Sequence, residues 1–187
     1  MKRIVSGIML TLLLISTLVL TFNVQPVKAI QTIYISADGS IDPPSAPIQR
    51  NENLYALTSN IIITSPYSDG IVVLKDNIMI DGAGYTLQCR GGKGIDLSGR
   101  TNVTVRNMEI RGFGTGVYLG SSARNNIIQN NMTGGSYGIY TESSLNNTIT
   151  GNNIRNASWS GIWLRPDSNC NNIIENDIAD CWSGIDI

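Results

Sequence analysis

Residues Asn125 to Trp163 read NNIIQNNMTGGSYGIYTESSLNNTITGNNIRNASWSGIW, and the second half of this stretch repeats the first. Ile127 returns as Ile149, Met132 as Ile154 and Gly138-Ile139 as Gly161-Ile162, at steps of 22, 22 and 23 residues. Inside each copy, apolar and polar residues alternate, as in Asn147-Thr148-Ile149-Thr150. That is the two-residue period of a strand with one buried face, not the 3.6-residue period of a helix.

The repeat extends in both directions. A glycine followed by an apolar residue recurs at Gly94-Ile95, Gly116-Val117, Gly138-Ile139, Gly161-Ile162 and Gly184-Ile185. A second column holds Val105, Ile127, Ile149 and Ile173, and a third holds Ile110, Met132, Ile154 and Ile178. A coil of 22 or 23 residues is too short to bury its own apolar side, so the columns must be satisfied by stacking coil on coil in parallel. The chain is therefore read as all-β, a single-stranded parallel β-helix. Of its 20 asparagines, 15 follow residue 101, which marks the repeat region. Asn130-Asn131, Gly134-Gly135, Asn152-Asn153 and Asn176 fall between strands and are expected to take the left-handed conformation at corners. The column Asn130, Asn152, Asn176 is also expected to form an internal amide ladder, as stacked strands do.

The ends of the chain read differently. A basic start (Met1, Lys2, Arg3), an apolar run from Ile4 to Phe22 and the small-residue pattern Val27-Lys28-Ala29 predict a signal peptide over 1–29. Left uncleaved, the same run would tether the chain to a membrane. Residues 30–74, with the Pro-rich turn Asp42 to Pro47, are expected to lie outside the repeat register as an N-terminal cap, and 75–187 to be the β-helix. Ile187 falls in mid-strand, so either the last rung pairs with another copy or, as expected here, further coils follow in a longer protein.

Composition excludes some functions. The net charge is −1, without a Lys/Arg cluster after the leader, so no nucleic-acid partner is expected. Three cysteines cannot all pair. Cys170 and Cys181 are half a coil apart, and Cys89 lies about four coils, or ~19 Å, from Cys181, beyond the reach of a disulfide. Free thiols are expected.

With these residues in view, the chain resembles the right-handed β-helix repeat proteins of the pectin-lyase-like superfamily. It is most similar to the NosD-type family, named for a periplasmic copper-binding protein of nitrous-oxide reductase maturation. The likeness is carried by Ile78 to Leu87 (IMIDGAGYTL), Asn102 to Ile110 (NVTVRNMEI), and the units from Asn125-Asn126-Ile127-Ile128 through Gly138-Ile139-Tyr140, and it covers about residues 70–187. It implies a right-handed coil and a secreted, periplasmic or cell-surface location. It does not fix an activity, because one repeat frames proteins that bind, cut or display.

Two residues after each repeat glycine, the outward position reads Asp96, Tyr118, Tyr140, Trp163, Asp186. Three aromatics on successive rungs would stand ~4.8 Å apart as a flat apolar strip with an acid at each end. Such a strip suits the C–H faces of sugar rings, and it equally suits mere stacking that stabilises a sheet. The next outward column, Ser98, Gly120, Glu142, Arg165, offers Glu142 and Arg165 either as an ion pair or as polar hands beside the strip. Trp159 and Trp182, each two residues before the repeat glycine, could form another stack, but at a corner they are expected rather to shield the core edge.

Catalysis has weaker support. The pectin-degrading hydrolases of the superfamily use clustered aspartates with a nearby histidine, and this chain has no histidine. Glu175 and Asp177, with Asp180 nearby, are read as a solvated strand face rather than a glycosidase pair. Copper would call for Cys, Met or His ligands, and Cys89, Cys170, Cys181, Met79, Met108 and Met132 are scattered over different columns. No catalytic residue, metal ligand or cofactor is assigned. Sequons at Asn102, Asn131, Asn146 and Asn156 follow from an Asn- and Thr-rich composition. The expected function is a non-catalytic module that binds polysaccharide through Tyr118, Tyr140, Trp163 and their polar neighbours. Two alternatives stay open: a carbohydrate-active lyase or hydrolase with catalytic rungs beyond residue 187, and a structural or adhesion stalk.

Overall fold

The computed structural model describes residues 31–187; the leader expected over 1–29 lies outside the described residues. The apolar columns found in the sequence are vertical neighbours. Val105 pairs with Ile127, Ile127 with Ile149 and Ile149 with Ile173, while Ile110, Met132, Ile154 and Ile178 form a second line. Parallel pairing along these lines builds three sheets of eight, seven and six strands, so the backbone hydrogen bonds run along the axis of a parallel β-helix. Among the described residues there is no helix.

The inward columns fill the coil. Ile80, Val105, Ile127 and Ile149 are fully buried on the second sheet, and Ile95, Val117, Ile139 and Ile162 on the first. A fully buried aliphatic side chain contributes about 1.5 to 3 kcal/mol, so stability comes from the length of each line rather than from any single coil.

Corners are made by four or five left-handed positions per coil, Gly134 and Gly135 among them as expected, but the asparagines of the predicted column play a different part. The positive-φ residues are Gln129, Gly151 and Glu175, each immediately before the predicted Asn130, Asn152 and Asn176. The asparagines themselves turn inward: Asn130 Nδ2 donates to Asn152 Oδ1 at 3.1 Å, and Asn152 Nδ2 to Asn176 Oδ1 at 2.9 Å. The expected ladder thus exists, in a corner whose strain falls on the preceding residue. Asn125, Asn147 and Asn171 form a second ladder at another corner, with amide contacts of 3.1 and 3.0 Å.

The N-terminal segment begins to coil earlier than its spacing suggests. Leu54 pairs with Met79, Ile61 with Leu87 and Ile71 with Ile95, at spacings of 25, 26 and 24 residues. Longer corner loops put this coil out of step with the 22- and 23-residue repeat. Two antiparallel strands, Ile41–Asp42 against Ile33–Ile35 and Ile48–Asn51 against Leu54–Leu57, lie at the first edges of two sheets. Cys89 is buried, Cys170 exposed and Cys181 partly buried, and all three are free thiols.

Candidate functional site on the outer face of the first sheet

The first sheet carries the outward column in the predicted register: Asp96 pairs with Tyr118, Tyr118 with Tyr140, Tyr140 with Trp163 and Trp163 with Asp186. A fourth aromatic, Tyr137, joins them. In Tyr137–Glu142 both Gly138 and Ile139 are buried, which breaks strict alternation and leaves Tyr137 and Tyr140 on the same outer face.

The four rings form a cluster rather than the flat strip expected. Tyr118 and Tyr140 stack at 5.4 Å with planes inclined by 26°. Trp163 meets Tyr140 edge to face, at 5.1 Å and 80°, and stacks instead on Tyr137 at 5.0 Å. Tyr137 in turn meets Tyr140 at 71°. Mixed stacked and edge-on contacts match the ring quadrupoles better than a column of sandwiches would. All four rings are half-buried.

Charged groups frame the cluster. Lys93 Nζ lies 3.9 Å from the centre of the Tyr118 ring and donates to Asp96 at 2.7 Å. The guanidinium of Arg165 lies 5.1 Å from the Trp163 ring. Glu142 and Arg165 do not form the ion pair that their column allows. Glu142 instead accepts the Tyr118 hydroxyl at 3.0 Å. Burial pushes the Tyr118 phenol up to about 12, and the Glu142 carboxylate adds to the shift.

The two acids at the ends of the column differ from each other. Asp96, expected as an exposed end group, is only 8% exposed. Burial works to raise its pKa, but hydrogen bonds from Lys93 and Ser98 hold it below the ordinary carboxylate value. Asp186 accepts the hydroxyls of Ser160 and Ser183, which keep its carboxyl low, and has no basic partner among the described ion pairs. Trp159 and Trp182 do not shield the core: they are 52% and 78% exposed, with ring centres 5.4 Å apart.

The remaining candidates do not come together. Asp177 is bound by the Arg155 guanidinium, and Glu175 occupies a left-handed corner, so they form no free carboxylate pair. Among the soft donors, Met108 and Met132 are buried in the core and Cys89 Sγ contacts the carbonyls of Ser65 and Ser68. No three His, Cys, Asp or Glu residues converge among the described residues.

No curated protein and no solved structure matches the chain. Residues 30–187 match the family model described as "Periplasmic copper-binding protein (NosD)". With its stacked coils and that match across nearly its whole length, the chain belongs to the NosD family.

Proposed function

We propose that this NosD-family β-helix works outside the cytoplasm as a non-catalytic module that binds polysaccharide on the outer face of its first sheet. The family's periplasmic description supports the location. The observation that carries the reading is the cluster of Tyr118, Tyr137, Tyr140 and Trp163, with ring centres 5.0 to 5.4 Å apart on one face. Half-buried rings offer apolar surface to sugar C–H groups, while Glu142 and Arg165 stand beside them to hold hydroxyls. Aromatic faces fixed by their neighbours lose little freedom when a ligand arrives, which favours binding.

The test is retention of the protein on a panel of immobilised glycans. Tyr140→Ala and Trp163→Ala each remove a ring from the middle of the cluster and should abolish retention on any glycan that holds the wild type. Retention by both variants equal to wild type would refute the reading.

A further inference from the structure

A groove of about 570 Å³ lies on the outer face of the second sheet. Its floor is the outward column Leu54, Met79, Thr104, whose members pair on successive rungs. Its rim is polar: Asn51, Glu52 and Asn53 come from the turn of the hairpin, and Asn77 and Asn102 from left-handed corners. The volume falls within the range of sites that hold organic groups. The groove lies inside the stack, because the next rung continues beyond it. Asn102 N–H donates to the Ala123 carbonyl, and Asn126 pairs with Thr104.

Two of the residues at this groove belong to one sequon, Asn102-Val103-Thr104. Composition accounts for the four sequons but not for a groove at this one. Asn102 is exposed, and its Nδ2 donates to Asn77 Oδ1 at 3.0 Å. An amide nitrogen carries two hydrogens, so a second stays available. Asn131, by contrast, sits in mid-strand between Glu109 and Asn153, with each neighbouring strand only ~4.8 Å away. The Glu52 carboxylate is in none of the five described ion pairs, so it is open to accept hydroxyls. Leu54 and Met79 beside it offer apolar surface, the mixed lining that holds a sugar ring.

We propose that Asn102 carries an N-linked glycan whose first sugar residues lie in this groove. The donor is an oligosaccharide joined through its anomeric carbon to a polyprenyl diphosphate. A bond forms from Asn102 Nδ2 to that carbon while the carbon–oxygen bond to the diphosphate breaks. Polyprenyl diphosphate leaves, and one amide proton passes to a base of the transferase. The remaining N–H keeps the bond to Asn77. Val103 is fully buried, so the sequon is modified on the exported chain before this rung folds, and folding then lays the sugars on the floor. The inference rests on the location given under the proposed function, and on nothing of the aromatic cluster.

The test uses the chain secreted by cultured eukaryotic cells, which supply both transferase and donor. Glycopeptide mass spectrometry of protein recovered from the medium should find Asn102 occupied. Thr104→Ala should lose that glycan and leave the other sequons as they were. Recovery from the medium establishes export, so an unoccupied Asn102 there overturns the proposal and leaves the location standing. Seating is read separately with an endoglycosidase that cuts within the glycan core. Release from Asn102 should be slower from the folded protein than from the unfolded chain by about tenfold or more, because a seated sugar must first leave the groove. Asn53→Trp puts a bulky ring over the floor from an exposed turn and should bring the folded rate back towards the unfolded one. Equal rates in folded and unfolded wild type, or a folded rate unchanged by Asn53→Trp, would overturn the seating and with it the proposal.

Discussion

Gly116 lies so close to Gly138 of the next rung that a methyl carbon added to it would stand 2.5 Å from the Gly138 carbonyl oxygen. The same approach recurs up the column, at 2.6 Å from Gly138 to Gly161 and 2.8 Å from Gly161 to Gly184. The repeat glycine is therefore a steric requirement of the stack. It is not one of the left-handed positions.

Gly138→Ala should consequently destabilise the protein by about 1 to 3 kcal/mol, the range for forcing extra volume into packed structure. Gly114→Ala, whose added carbon would stand 3.2 Å from its nearest neighbour, the Gly92 carbonyl oxygen, should cost clearly less. Denaturant unfolding of the two variants measures the contrast. Equal losses would mean that the column reflects backbone preference rather than close approach.

The columns were legible because the property that makes them, burial of one side chain per strand, leaves a direct trace in hydrophobicity. Register followed as well: Tyr118, Tyr140 and Trp163 are cross-strand neighbours where equal spacing puts them. Tyr137 was hidden, because strict alternation assigns it to the face opposite Tyr140, and only the successive burial of Gly138 and Ile139 reverses that. The asparagine corners were half legible. Composition shows that amides stand at a turn, but φ at Gln129, Gly151 and Glu175 depends on where the inward amide must reach. Ring orientation and the partner of Glu142 depend on side-chain rotamers, which leave no trace in spacing.

Asn152 is expected to be among the most sensitive polar residues. Its Nδ2 donates to the Ile127 carbonyl at 2.8 Å and to Asn176, and its Oδ1 accepts Asn130 Nδ2 and the Asn130 backbone N–H. Asn152→Ala leaves several of these buried groups without partners and should cost about 2 to 4 kcal/mol. Chemical denaturation checks this. A loss no larger than that of an exposed Asn172→Ala would show that the ladder contributes little.

Asp96 should make stability fall in acid. Its folded pKa lies below the ordinary aspartate value of 3.8, so its contribution is present above that value and is lost as pH falls through the lower folded one. Asp96→Asn removes this dependence. Unfolding free energies measured between about pH 5 and pH 2 should therefore decline less steeply in the variant than in the wild type. Identical slopes would mean that Lys93 and Ser98 do not hold the carboxylate in solution.

Tyr118 gives the opposite sign at high pH. Its phenol is raised from 10.0 to about 12, first by burial and then by the hydrogen bond and charge of Glu142. A group with a raised folded pKa contributes stability that is complete below its unfolded value and lost as pH rises through the folded one. Of the seven tyrosines, Tyr55 and Tyr140 are also raised by burial, so ultraviolet titration should show a distinct late step, that of Tyr118, after all the other phenols. Glu142→Gln keeps a side-chain oxygen within reach of the hydroxyl but removes the charge, and should bring that late phenol downward without abolishing its shift, because burial remains. Tyr118→Phe should remove the late step altogether. If the late step survived in Tyr118→Phe, another tyrosine would own it, and the contact between Tyr118 and Glu142 would not be what sets the electrostatics of this face.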